Sequence, residues 1–261
     1  MTFRLAVVGG GNMGTALVGG LLQAGWATED IAVVEVLAAR AEQLRGMFPG
    51  MEVTASVPAC DAALIAVKPY DAPSATAQAV AVGASRILSI AAGVTLAALE
   101  AEAGDAVVIR AMPNTPALVG EGAAAIAGGT GATEDDLAWA ESILGAVGTV
   151  VRVSEANLDA VTGLAGSGPA YVFLVAEALI DAGVLAGLTR PTSEALVTQL
   201  LVGSAALLRE RGDAAGLRAQ VTSPGGTTAA GLKALEDHAV RAAFADAVVS
   251  ATRRSQELGS Q

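Results

Sequence analysis

Six short apolar runs constrain this chain more than anything else in it. They are Leu5–Val8, Ile31–Val34, Ala63–Val67, Ile87–Ile90, Val107–Arg110 and Ala123–Ile126, and helical stretches such as Thr15–Ala24, Ala38–Met47 and Leu137–Ala146 separate them. A strand that is apolar on both faces needs cover on both sides, and a parallel neighbour needs a crossover long enough to hold a helix. The alternation therefore predicts an α/β domain, a parallel sheet between two helical layers. Near Val150–Val153 the pattern stops. Beyond it lie long helical runs, Ala170–Ala186, Thr192–Arg211 and Arg241–Glu257, with almost no strand signal. Two domains are expected, residues 1–152 and an all-α domain over 153–261.

Composition narrows the class. The chain has 261 residues, 53% hydrophobic and 16% charged, which supports a large core and excludes a disordered chain. Aromatics make up only 3% and glycines number 31, so that core must be alanine, valine and leucine packed backbone to backbone. A formal net charge of −11 argues against nucleic acid or an anionic membrane as partner. A single cysteine, Cys60, and a single histidine, His238, leave no disulfide framework and no cysteine- or histidine-based metal site. No metal is expected. Glu177 and Asp181 interrupt the longest apolar stretch, so no membrane span is expected, and the plain expectation is a cytoplasmic protein.

Gly9–x–Gly11–x–x–Gly14 joins the first strand to the first helix. Glycines at this spacing permit a tight turn, close approach of a pyrophosphate and close helix–strand packing, with the anion on the helix N-terminus. Glu35 ends the second strand about 20 residues on, where a carboxylate accepts hydrogen bonds from a ribose 2′-hydroxyl. Gly9, Gly10, Gly11, Asn12, Met13, Gly14 and Glu35 thus form a candidate dinucleotide site on a Rossmann domain. The carboxylate repels a 2′-phosphate, so NADH or NADPH is expected with a lean to NADH. Arg40 is near enough in sequence to moderate that preference. Ala66–Val67–Lys68–Pro69 and Ala91–Ala92–Gly93 follow two other strands at the same sheet edge. Lys68 there either neutralises a ligand anion or is simply solvated.

A second anion seat lies near the other end of the chain. Ser223–Pro224–Gly225–Gly226–Thr227–Thr228 leads into an alanine-rich helical run. Free N–H groups at a helix start suit a small carboxylate. Thr228 reads equally as a helix cap.

Three segments in order, Arg110–Ala111–Met112–Pro113–Asn114–Thr115–Pro116, Gly166–Tyr171 and Ser223–Thr228, resemble the pyrroline-5-carboxylate reductases over nearly the whole chain. The resemblance implies a Rossmann domain followed by a helical dimerisation domain, a homodimer that in some members becomes a larger ring of dimers, and reduction of 1-pyrroline-5-carboxylate to L-proline. It implies cofactor contacts at Val8 to Met13, Glu35, Ala66 to Pro69 and Ala91 to Gly93, to which Asn114 is added. It implies substrate contacts at Ser223, Gly225, Gly226, Thr227 and Thr228, with Thr228 as the catalytic residue. Members of the family that accept NADPH commonly have a small or hydroxyl residue where this chain has Glu35, so nucleotide preference does not transfer.

One residue-level check is independent of the family. The related hydroxyacid dehydrogenases carry a lysine and an asparagine where this chain has Val172 and Ala176. Ketone reduction needs that proton donor, whereas a protonated imine does not. The competing readings are a broader cyclic-imine reductase and a non-catalytic dinucleotide sensor. Leu196, Val197, Leu200, Leu201, Val202, Leu207 and Leu208 cover more than one helical face, which suits burial against a second copy or a helix central to its own domain. His238 is expected at the surface. Cys60 is expected to be buried or half-buried, Trp26 and Trp139 to pack at helix ends or faces, and Glu134–Asp136 to form an acidic helix start capped by Thr133.

Overall fold

The computed structural model describes residues 2–259. Eight strands, β1 (Leu5–Val8), β2 (Ile31–Val34), β3 (Glu52–Thr54), β4 (Ala62–Ile65), β5 (Arg86–Ser89), β6 (Val107–Met112), β7 (Gly122–Gly128) and β8 (Gly148–Arg152), form one sheet in the order β3-β2-β1-β4-β5-β6-β7-β8. Pairing is parallel from β3 through to β6, as the alternation predicts. It then departs from the all-parallel expectation, because β7 runs antiparallel to β6 and carries β8 with it. The link between β6 and β7 is short, residues 113–121, and holds one 3-10 helical stretch, Thr115–Val119, ending at Gly120 with a left-handed backbone (φ 75°). That is too short for a crossover, so the chain can only double back.

Helices α1 (Asn12–Gln23), α2 (Ala38–Met47), α3 (Ala72–Ala81), α4 (Leu96–Ala103) and α5 (Glu134–Leu144) cover the sheet. Alternate residues of each strand enter different cores. Leu5 and Val7 join Leu17, Val18 and Leu21 of α1 on one face, and Ala6 and Val8 join Ala72, Ala75 and Ala79 of α3 on the other. Period-2 alternation within a doubly covered sheet explains why both sets are apolar.

The chain divides into two compact units, one reaching Ser167 and reclaiming the chain from Val249 onward, the other spanning Gly168–Val248. The compact units thus divide at 167/168, beyond the expected domain boundary at 152/153. Side chains tie the intervening stretch, α6 (Leu158–Val161) and the π-helical turn Thr162–Gly166, to the first unit. Arg110 Nη1 donates to Glu155 Oε1 at 3.0 Å, Asn114 Nδ2 donates to Ala165 O at 3.1 Å, and Ser255 Oγ donates to Asp159 Oδ1 at 2.6 Å.

The second unit is helical: α7 (Gly168–Leu185), α8 (Arg190–Arg211), α9 (Ala214–Gln220), α10 (Thr227–Asp237) and the first half of α11 (Val240–Gly259). Thr189 caps α8 and Pro191 sits in its first turn. Ser193 Oγ donates to Ile180 O at 2.8 Å and ties α8 to α7. Little else is covered: α7 buries no residue and α8 only Ser193 and Val197. Phe173, Leu174, Leu196 and Val202 are all more than half exposed. Glu155–Leu185 is long and apolar enough to cross a membrane by length and composition alone, with a mean hydropathy of 1.5. The interrupting carboxylates lower that mean without bringing it below the range of a span.

Candidate active site

The loops expected to hold a dinucleotide all leave the same sheet edge. β1, β2, β4 and β5 are adjacent and parallel, and their carboxyl ends deliver Gly9–Gly14, Glu35, Ala66–Pro69 and Ala91–Gly93 respectively. This is the edge where open α/β sheets bind ligands. Gly9 has φ 113°, and a Cβ on it would meet Ala66 O at 2.5 Å, so only glycine fits where β1 and β4 loops converge. A Cβ on Gly14 would collide with Gly9 O, which lets α1 start directly against the turn. Gly11 is the N-cap of α1 and no side chain caps it, leaving the first amides of the helix for a ligand.

Glu35 and Arg40 border the glycine turn. Glu35 Oε1 accepts from Leu37 N at 2.8 Å, and Oε2 lies 3.0 Å from where a Cβ on Gly10 would be. Arg40 is pinned at three nitrogens: Nε to Gly10 O at 2.7 Å, Nη1 to Gln43 Oε1 at 3.1 Å and Nη2 to Thr15 Oγ1 at 2.8 Å. The guanidinium is committed to the protein and does not pair with Glu35. Lys68 is exposed.

Asn114 serves as a strut. Its Nδ2 donates to Ala165 O and its Oδ1 accepts from Ala123 N at 2.8 Å, so the amide joins the β6–β7 turn to the π-helical turn. Arg110 in the same motif is buried, paired with Glu155, whose Oε1 also accepts from Leu96 N at 2.6 Å. These two motif residues therefore hold the loop in place, a role the sequence did not distinguish from ligand contact.

Within the first unit a cavity of about 330 Å³ opens beside the expected nicotinamide end. Pro69, Ala92 and Gly93 line one part, Thr162 and Ser167 another, and Arg254, Ser255 and Leu258 of α11 complete it. The α11 residues were missed because nothing in a surface-like helix with a basic pair, Arg253–Arg254, signals a return to the first unit. A larger cavity of about 370 Å³ runs along α1 and Ala117–Gly120, carries no charged residue and includes none of the expected contacts.

In the second unit, Gly225 turns the chain with φ 70° and Gly226 is the N-cap of α10. Thr227 and Thr228 are the first two helical residues, and no side chain caps the helix. The capping alternative for Thr228 is thus not what the structure contains. Gly226 N donates to Ser223 O at 3.0 Å, closing the turn, and among the described residues the hydroxyls of Ser223, Thr227 and Thr228 have no protein partner. Open amides and idle hydroxyls at a helix start make an anion seat.

A family model described as pyrroline-5-carboxylate reductase dimerisation matches residues 155–258, and one described as NADP oxidoreductase, coenzyme F420-dependent, matches residues 4–93. The chain is 44% identical to a pyrroline-5-carboxylate reductase of Synechocystis over 100% of both chains. It belongs to the pyrroline-5-carboxylate reductase family. A solved pyrroline-5-carboxylate reductase from Coxiella burnetii matches with a TM-score of 0.92 at 34% identity, covering 99% of each chain. The Plasmodium falciparum pyrroline carboxylate reductase, solved with NADP bound, matches with a TM-score of 0.84 at 29% identity over 98% of each chain. The NADP oxidoreductase model falls on strands β1–β5 and the dimerisation model on the helices, in agreement with the fold class read from the strand pattern.

Proposed function

We propose that this chain reduces 1-pyrroline-5-carboxylate to L-proline with hydride from NADH or NADPH. The observation that carries the reading is the uncapped start of α10, with Ser223, Thr227 and Thr228 hydroxyls beside open amides. The nicotinamide, when bound, supplies the hydride. The chain's own residues do the rest by position. Gly11–Gly14 and α1 seat the pyrophosphate, while Ala66–Pro69 and Ala91–Gly93 leave room for a flat ring. The amides from Gly225 to Thr228 take the substrate carboxylate, with hydroxyl help from Ser223 and Thr227.

Thr228 holds the ring nitrogen and so fixes which carbon faces the cofactor. The imine is protonated on arrival, hydride forms the new C–H bond, and the C=N electron pair collapses onto nitrogen to leave a neutral amine. No proton donor is needed at that step, which is consistent with apolar Val172 where ketone reducers carry a lysine. Positioning of two bound partners then supplies most of the acceleration.

Glu35 beside Gly10, with Arg40 committed elsewhere, supports NADH over NADPH. The exposed apolar faces of α7 and α8 support a homodimer built on this unit, with the ring of dimers a further assembly of the same dimer. A cytoplasmic location accompanies this reading. Purified protein mixed with NADH and 1-pyrroline-5-carboxylate should consume NADH and form L-proline in equal amounts. Binding of NADH without turnover by folded protein would favour the sensor reading instead.

A further inference from the structure

The amino-terminal edge of the sheet, opposite the cofactor loops, holds a cavity of about 240 Å³ that the reaction does not use. Its base comes from three adjacent parallel strands: Arg4 precedes β1, Asp61 precedes β4, and Arg86 begins β5. Trp26, after α1, and Trp139, on α5, complete it. These are the two tryptophans of the chain, drawn into one cavity from residues more than a hundred positions apart.

Each indole has a guanidinium over its face. Arg4 lies 4.3 Å from the Trp26 ring centroid and Arg86 lies 5.9 Å from that of Trp139. Each guanidinium is also anchored by a carboxylate, Arg4 to Asp30 at 3.0 Å and Arg86 Nε to buried Asp136 at 2.7 Å. Asp136 is itself fully engaged, since its second oxygen accepts from both the amide and the hydroxyl of Thr133. The arginines are therefore held in place before any ligand arrives. Among the described residues, Nη1 and Nη2 of Arg86 have no partner, which leaves a fork suited to a carboxylate.

The charge balance selects the ligand class. Both arginines are neutralised by their anchors, whereas exposed Asp61 has no ion-pair partner among the described residues. A simple anion would meet that carboxylate, and a simple cation would leave the Arg86 fork idle. We propose that this cavity binds a free α-amino acid with a ring side chain. Its carboxylate meets Arg86, its ammonium meets Asp61, and its ring lies among the two indoles. The volume, below the range for drug-sized ligands, suits a molecule of that size.

The two indoles make the test direct, because all tryptophan emission of the full-length protein originates at this cavity. Titration with L-phenylalanine, excited at the tryptophan edge, should give a saturable emission change. Phenethylamine and 3-phenylpropionate, each lacking one charge, should bind at least tenfold more weakly. Asp61→Asn should weaken L-phenylalanine at least tenfold while leaving imine reduction unchanged. Trp26→Phe and Trp139→Phe should each retain a saturable response from the remaining indole. Thr228→Ala should retain the full response, because the anion seat on α10 is a different site. No saturable change in the wild type, equal binding of the three compounds, unaltered affinity in Asp61→Asn, or loss of the response in Thr228→Ala would each overturn the proposal.

Discussion

Thr228 shows how one residue type leaves two roles open in a sequence. A threonine behind two glycines reads as cap or ligand contact alike, and the N-cap at Gly226 removes the first. Thr228→Ala should lower kcat/KM about 10- to 100-fold, the loss of about 1.5–3 kcal/mol of transition-state hydrogen bonding, while Thr228→Ser keeps most of it. Steady-state kinetics check both. Glu35 is a second such position. Replacing it by serine should raise kcat/KM for NADPH by about 30-fold, the removal of roughly 2 kcal/mol of like-charge repulsion, with a smaller loss for NADH. Paired cofactor titrations read that ratio. Cys60 is the inert counterpart. Burial, and then the Asp61 carboxylate, push its thiol up to about 11, so at pH 8 only about one thiol in a thousand is thiolate. Iodoacetamide should label native protein far more slowly than urea-unfolded protein.

Elements were legible in proportion to their burial. β1 and β2 lie where the sequence placed them, because a doubly covered strand leaves a strong apolar signal. β3 went unseen, since Glu52–Thr54 is a three-residue edge strand with one buried residue. The reversal at β7 was illegible for a different reason: strands apolar on both faces look the same in either direction. The acidic start of α5 was read as a helix start capped by Thr133, and the cap is present, but Asp136 also turns inward to Arg86. Hydrogen bonds from Thr133, and then from Arg86, hold the Asp136 carboxyl below its ordinary value of 3.8. A depressed carboxyl stabilises the fold fully above the unfolded value, and that stabilisation fades as pH falls through the folded one. Asp136→Ala should therefore lose about 2–3 kcal/mol at pH 7 in urea unfolding, and the gap from wild type should narrow in strong acid.

At the scale of the whole molecule, the division of labour was readable, whereas the division into compact units was not. The sequence pattern changes near residue 152, but Asn114, Arg110 and Ser255 bind the next stretch to the first unit, and such long-range ties leave no local trace. The uncovered helices of the second unit are the strongest prompt for self-association. Burying one leucine contributes about 1.5–3 kcal/mol, so faces carrying Phe173, Leu174, Leu196 and Leu200 favour pairing by far more than surface polarity opposes it. Leu200→Glu should shift the species in light scattering toward monomer and lower thermal stability.

The central claim is that an amide seat at the start of α10 grips the carboxylate of a cyclic imine whose reduction needs no acid. The most direct measurement compares kcat/KM for 1-pyrroline-5-carboxylate with that for 1-pyrroline, which lacks the carboxylate. Two charge-assisted hydrogen bonds predict a preference of at least about 100-fold for the carboxylate. A ratio near one would contradict the account.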